Sequence, residues 1–288
     1  MTSLKIKGLC ALLMLALAVA LTACGDDDSD KESSTSESAA PAIAVPAEFE
    51  GKTLTIATDA TYPPMESVDT DGKTIVGADV DLGKAIGEKL GLDVEFKNAT
   101  FDAILPALES GKYDMSMSSF TDNKEREATV DFVTYAAAGT SFYVKADGGP
   151  DIQSLADLCG HKVAVEKGTT QQADVEKQKK ECDVDLQTYP DQNGANQALA
   201  SGRADVGMAD SPVAVYIVDQ SKDKFKISGD PYGKVPYGIA LPKNSGLEEP
   251  VLKAVEAIIA DGTYADILKK WDISSFAITE PKINGAIN

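Results

Sequence analysis

The sequence predicts an α/β fold of two similar lobes facing each other, and three observations carry that prediction. Apolar residues recur with period two in short stretches and at i, i+4, i+8 in the stretches between them, the alternation expected of α/β layers. An eight-residue pattern occurs twice, as ALESGKYD at 107–114 and as ALASGRAD at 198–205. Each copy leads into a strand-like run that ends in polar residues, Ser118 to Thr121 in one case and Asp210 in the other.

Along the chain, Lys5 and Lys7 precede an apolar stretch from Leu9 to Leu21 that ends in Leu21-Thr22-Ala23-Cys24. A basic start, an apolar run too short to span a bilayer with its flanks, and small residues at the cut predict a secretory signal peptide over 1–23. The LTAC sequence resembles a bacterial lipobox, which implies that Cys24 is acylated, for example by palmitate, and anchors the mature chain in the membrane. Residues 24–50 are acidic and serine-rich with few large apolar groups, so they are expected to form a disordered tether. The folded part then lies outside the cell membrane, on the periplasmic face if a second membrane is present.

The formal charge of -19 opposes phosphate backbones, which excludes nucleic acid as a partner and leaves cationic or zwitterionic small molecules. Of the four cysteines, Cys10 and Cys24 belong to export, so Cys159 and Cys182 remain as a pair for a disulfide in an oxidising compartment. His161 is the single histidine and has no ligand spacing around it, so neither a metal nor another cofactor is expected.

Leu54 and Ile56 mark a first strand, Leu82, Ile86 and Leu90 a helix, and Val94 and Phe96 a second strand. Later, Val163 and Val165 precede the helical TTQQADVEKQKK, and Leu186 to Tyr189 form another strand. In both copies of the repeat a Ser-Gly pair stops a helix, since glycine accepts the positive φ of a helix C-terminus, and an aspartate opens the next strand. KTLTIATDATYPP and HKVAVEKGTTQQ make a second matched pair, each running from a strand into a polar turn that carries Asp59, Thr61 and Tyr62 or Gly168, Thr169 and Thr170. Ligands of α/β sheets bind beyond the carboxyl ends of strands, so these four exits are expected to converge on one cleft.

Asn123 is a good N-cap three residues before Arg126, and a helix opening there offers free N–H groups beside a guanidinium fork. With Thr121, Thr170 and the N–H groups of the Gly168 turn, Arg126 describes a carboxylate site. Asp210 accepts hydrogen bonds only, and together with Ser119 it suits an ammonium group. The two sites define an α-amino acid, with Tyr62 and Phe101 flanking its aliphatic part. Each residue also has a purely structural reading: a solvated arginine, an aspartate capping the next helix, aromatic rings in a core. The paired arrangement is what favours a ligand.

From about residue 51 to 272 the chain resembles the extracellular solute-binding proteins of ABC importers, polar amino-acid type. The resemblance is carried, in order, by ATDATYPPME, IVGADVDLGKAIGEKLGL, FDAILPALESGKYD, SSFTDNKEREATVDF, KVAVEKGTTQ, ALASGRADVGMAD and DGTYADILKKW. It implies a periplasmic-binding-protein-like fold of type II, with lobe 1 formed by 51–139 plus 237–288, lobe 2 by 140–236, and a two-stranded hinge that closes the lobes on the ligand. It also implies carboxylate binding by Arg126 with Thr121 and Thr170, ammonium binding by Asp210 with Ser119, an aromatic sandwich of Tyr62 and Phe101, and Asp59 and Ser118 near the ligand side chain. The sequence departs from the family pattern at Met65, where phenylalanine is usual, at Asn123-Lys124, where Thr-Pro is usual, and at Glu166, where relatives commonly carry an uncharged residue. Asp59 and Glu166 together suit a cationic side chain, unless Glu166 pairs with Lys167 or faces solvent.

The resemblance implies a monomer that hands its amino acid to separate permease and ATPase subunits, although the same closed form also suits a sensor that docks on a membrane receptor. An enzyme is the least favoured class, because a site that grips both ends of a zwitterion leaves little room for a general acid and base, and His161 is the sole histidine.

Overall fold

The computed structural model describes residues 43–287. The signal peptide at 1–23, Cys24 and the tether up to residue 42 lie outside that range.

The first strand, β1 (Thr53–Thr58), buries Leu54 and Ile56, as their alternate spacing requires. A small antiparallel sheet follows, made of β2 (Thr61–Tyr62), β3 (Glu66–Val68) and β4 (Ile75–Val76). Helix α1 (Ala78–Leu90) turns Leu82, Ile86 and Leu90 into the core, and β5 (Asp93–Asn98) returns parallel to β1. After α2 (Phe101–Glu109), the short β6 (Met115–Ser116) takes the other side of β1. A one-turn helix, α3 (Lys124–Glu127), leads into the long strand β7 (Val130–Lys145).

The second half repeats the scheme with β8 (Lys162–Glu166), α4 (Thr170–Gln178), β9 (Asp185–Tyr189), α5 (Gln192–Ala200) and β10 (Val206–Asp210). Here β8 lies between β9 and β10 as β1 lies between β5 and β6, all parallel. Helix α6 (Ser211–Gln220) precedes β11 (Phe225–Pro242), which runs antiparallel to β7 along almost its whole length. Helices α7 (Glu248–Ala260) and α8 (Thr263–Lys270) then pack beside α1.

The eight-stranded sheet has the order β5-β1-β6-β11-β7-β10-β8-β9. Only β7 and β11, among the described strands, join the two triplets: β11 bonds to β6 at Ala240 and β7 bonds to β10 from Val144 to Thr140. The ladder between them shifts register between Ser228 and Tyr232, between Tyr232 and Val235, and between Tyr237 and Gly238, which is where the chain passes from one lobe to the other. At Gly139 the strands approach so closely that a Cβ would lie 2.5 Å from the Tyr232 carbonyl oxygen.

The two copies of the sequence repeat fold alike. Gly111 and Gly202 both take positive φ, 72° and 75°. Lys112 N–H donates to Ala107 O and Arg203 N–H donates to Ala198 O, closing both helix ends in the same way. Asp114 then accepts from Thr55 N–H at 2.7 Å and Asp205 from Lys162 N–H at 2.9 Å, so each aspartate clips its strand to the neighbouring one in the sheet, β1 or β8.

Residues 43–50 differ from the expected tether. Ile43 and Val45 pack against the core and Phe49 is buried, because these are apolar side chains within an otherwise acidic segment. No helix among the described residues is long and apolar enough to cross a membrane.

The expected disulfide joins Cys159 and Cys182, 23 residues apart in sequence. It links the turn before β8 to the end of α4. Closing a loop of that length stabilises the native state by about 3 kcal/mol in the chain-entropy model. Replacing both cysteines by serine is expected to lower the urea unfolding free energy by about that amount while leaving the fold, read by circular dichroism, unchanged.

Candidate functional site

The carboxyl ends of β1, β6, β8 and β10 point into one narrow cavity between the lobes. Asp59 follows β1, Ser118 and Ser119 follow β6, and Glu166 and Asp210 are the last residues of β8 and β10. All five side chains line the cavity.

Arg126 enters from α3. Asn123 Oδ1 accepts from Arg126 N–H at 2.9 Å and so caps the turn. The guanidinium donates through Nη1 to Thr121 O and through Nη2 to Gly168 O, both at 3.0 Å, and thereby touches both lobes. Its flat face lies 5.5 Å from the Phe101 ring and 5.1 Å from the Phe120 ring, which stack on each other at 4.3 Å. Burial pushes its pKa down to about 10, so it stays cationic at neutral pH.

Asp210 stands across the cavity. Although it begins α6, its carboxylate makes no capping bond to that helix. Instead it accepts from Gln171 Nε2 at 2.7 Å, and its backbone N–H donates to the Tyr62 hydroxyl at 2.9 Å. Burial raises its pKa, opposed by the hydrogen bonds it accepts and by Arg126.

The remaining carboxylates gather elsewhere on the wall. Asp59 accepts from the Thr61 hydroxyl at 2.7 Å and from Phe101 N–H at 2.9 Å. The Ser118 hydroxyl accepts from Asp59 N–H at 2.9 Å and donates to Glu66 Oε1 at 2.8 Å. Glu66 Oε2 and Glu166 Oε1 are buried and have no hydrogen-bond partner. Burial first, and then Asp79, drives the Glu66 pKa well up; burial and then Asp59 do the same for Glu166. Behind Glu66, Asp79 accepts from the Tyr135 hydroxyl at 2.8 Å and from Ser119 N–H at 2.9 Å, and burial pushes its pKa up to about 6. Lys167 does not neutralise Glu166, because its ammonium pairs with Asp102 at 2.8 Å. Among the described residues the cavity wall thus carries one guanidinium and the carboxylates of Asp59, Glu66, Glu166 and Asp210.

The family model for bacterial extracellular solute-binding proteins, family 3, matches residues 54–274, nearly all of this folded part. The chain belongs to that family. This solute-binding protein is 32% identical over 238 residues to the arginine-binding protein ArgT of Corynebacterium glutamicum, covering 80% of the chain and 78% of the relative. Among solved structures it is similar to an ancestral arginine-binding protein bound to arginine, at 42% identity and TM-score 0.74, covering 77% of this chain and 99% of that one. It is also similar to an ancestral amino-acid-binding protein described as a precursor of cyclohexadienyl dehydratase, at 35% identity and TM-score 0.70, covering 77% and 96%.

The solute-binding protein brings together most residues singled out from its sequence: Arg126, Thr121, Thr170, Asp210, Ser119, Asp59, Tyr62, Phe101, Ser118 and Glu166 all line the cavity. Gly168 does not. Its N–H donates to Gln172 Oε1, its carbonyl holds Arg126, and its φ of 82° and missing Cβ let the backbone come close to Asp102. Ser119, at φ 49°, turns its hydroxyl toward Asp79. Phe101 stacks on Phe120, while Tyr62 lends its hydroxyl to the backbone of Asp210. Thr169, expected in the polar turn after Gly168, lines the cavity as well, while Glu66 and Gln171 line it and escaped the sequence reading. Glu66 stands in the motif ATDATYPPME, but its inward direction comes from the β2–β3 hairpin, where it pairs with Tyr62.

The buried acids fix a sign for the pH response. A carboxyl whose pKa is raised on folding contributes its stability below the unfolded value and loses it as pH rises through the folded value. Glu66→Gln removes such a group, so relative to wild type the ligand-free variant is expected to gain stability as pH rises from about 5 to about 8. Urea melts of both proteins at several pH values measure the difference, and a constant or shrinking difference contradicts the assignment.

Proposed function

We propose that this solute-binding protein captures a cationic L-α-amino acid between its lobes and delivers it to an ABC permease. The imbalance of charge on the cavity wall carries the proposal. Arg126 with Thr121 and Thr170 takes the ligand carboxylate, Asp210 takes the ammonium group, and these two contacts cancel. Asp59, Glu66 and Glu166 are left over, with the orphaned oxygens Glu66 Oε2 and Glu166 Oε1 among them. Burial holds these acids toward their neutral, protonated form, and a guanidinium or ammonium side chain is the ligand group that would stabilise them as carboxylates. The arginine-binding names of similar proteins support the same reading.

In this proposal lobe 1 comprises 51–139 plus 237–288 and lobe 2 comprises 140–236, and β7 and β11 form the hinge at which they open. Cys24 carries the lipid that holds the monomer at the membrane. The similarity to a dehydratase precursor does not suggest catalysis here: among the described residues His161 is the sole imidazole, and it precedes β8 while Glu166 and the cavity lie at that strand's other end.

Binding of L-arginine, L-lysine, L-ornithine, L-citrulline and agmatine by calorimetry tests the proposal. Arg126→Ala is expected to cost about 3–5 kcal/mol in L-arginine binding, because the ligand carboxylate is then buried without a counter-charge. Glu166→Gln is expected to cost about 1.5–3 kcal/mol for L-arginine and little for L-citrulline, since only the former loses a charged partner. Equal affinity of the wild type for L-arginine and L-citrulline would remove the cationic assignment.

A further inference from the structure

Arg126 sits on α3, which has four residues, none of them fully buried. One helical turn is too short to hold its own shape in water, so its geometry comes from what is bonded to it. The loop before it is tied to β11, where Asp122 N–H donates to Pro236 O at 2.9 Å. Two more bonds come from a distant part of the chain. Gly285 N–H donates to Asp122 Oδ2 at 2.7 Å, and Ala286 N–H donates to Glu127 Oε1 at 3.1 Å, so that both ends of the turn are stapled from the side.

The stapling segment is itself fixed to the lobe-1 end of β7. Thr134 N–H donates to Lys282 O and Lys282 N–H to Thr134 Oγ1, at 2.9 and 2.8 Å. Asn284 N–H donates to Phe132 O and accepts at its Oδ1 from Phe132 N–H, both at 2.9 Å, while its Nδ2 donates to Asp131 Oδ1 at 2.9 Å. Asn284 adopts φ 51°, the left-handed turn that swings the next two N–H groups toward α3. Gly285 is fitted tightly beneath it: a Cβ there would lie 2.8 Å from Thr134 Cγ2, with its next neighbours at 3.5 Å or more.

The receiving carboxylate has few alternatives. Asp122 is 2% exposed, and its other oxygen has no partner. Burial, followed by its neighbour Glu127, pushes its pKa up to about 7. Without the Gly285 N–H this side chain would lose a bond it cannot replace in place, and the loop that carries Arg126 would move to solvate it.

We propose that the segment Lys282–Ala286 is a positioning strap for Arg126, holding α3 through Asp122 and Glu127 so that the guanidinium meets the ligand carboxylate. The inference rests on the reading of Arg126 as the carboxylate partner. It assigns a binding role to residues that touch neither the cavity nor the ligand.

Gly285→Ala forces a Cβ into Thr134 Cγ2, whereas Gly285→Ala combined with Thr134→Ser deletes that methyl and keeps the hydroxyl that accepts from Lys282. Calorimetry with L-arginine, and with agmatine as the same side chain lacking the carboxylate, reads the effect, alongside hydrogen exchange of the amides at 124–128 without ligand. Gly285→Ala is expected to weaken L-arginine at least tenfold and agmatine less than twofold, to speed exchange at 124–128, and to recover both in the double variant. Ala286→Pro, which removes the other donor and sets its ring against Glu127 Oε1, is expected to loosen the same staple and serves if Gly285→Ala does not fold. Unchanged exchange at 124–128 in both single variants overturns the strap, as does an equal loss for the two ligands. If the wild type binds no L-arginine, the functional reading falls, and the exchange measurement alone still decides whether the segment holds the turn.

Discussion

Everything in this protein hangs on two strands that belong to both lobes. β7 and β11 are bonded to each other over most of their length and carry one triplet of parallel strands on each side. Such a ladder resists shear but bends where its register is broken, and the breaks cluster where the strands pass between the lobes. The same crossing sets the address of the site. Because each triplet presents its carboxyl ends toward the crossing, the polar residues that follow four separate strands meet in one place without any loop longer than a few residues.

The cavity illustrates why such a site is hard to keep empty and easy to fill. Burial makes the carboxyl groups of Asp59, Glu66 and Glu166 resist ionisation, and neighbouring acids, Asp79 for Glu66 and Asp59 for Glu166, add to the effect. Arg126 answers only part of that charge, since it is also committed to the carbonyls of Thr121 and Gly168. On the proposed reading a cationic ligand group completes the site and offsets the usual cost of pre-organised polar groups.

Much of this was legible in the sequence, because the informative residues are local. The duplicated Ser-Gly stop and its aspartate announced two equivalent strand exits, and the structure closes them with the same hydrogen bonds. Asn123 announced its cap in the same way. What stayed hidden depends on contacts between distant segments. No spacing rule reveals that Gln171 crosses to Asp210, that the Gly168 carbonyl rather than its N–H is used, or that Glu66 is turned inward by a three-residue strand. The packing of Ile43, Val45 and Phe49 was likewise masked by the acidic composition around them.

The ion pair between Lys167 and Asp102 has a meaning beyond clearing Glu166 of a partner. It joins the turn after β8 to the first turn of α2, at the rim where the lobes meet, and the lysine side chain is 61% exposed. A pair of that kind contributes at most about 1 kcal/mol and fades as counter-ions accumulate within a Debye length of about 8 Å at physiological salt. Under the proposed hinge motion this rim contact is the part of the closed form that added salt weakens, while the buried side chains of the cavity are screened much less.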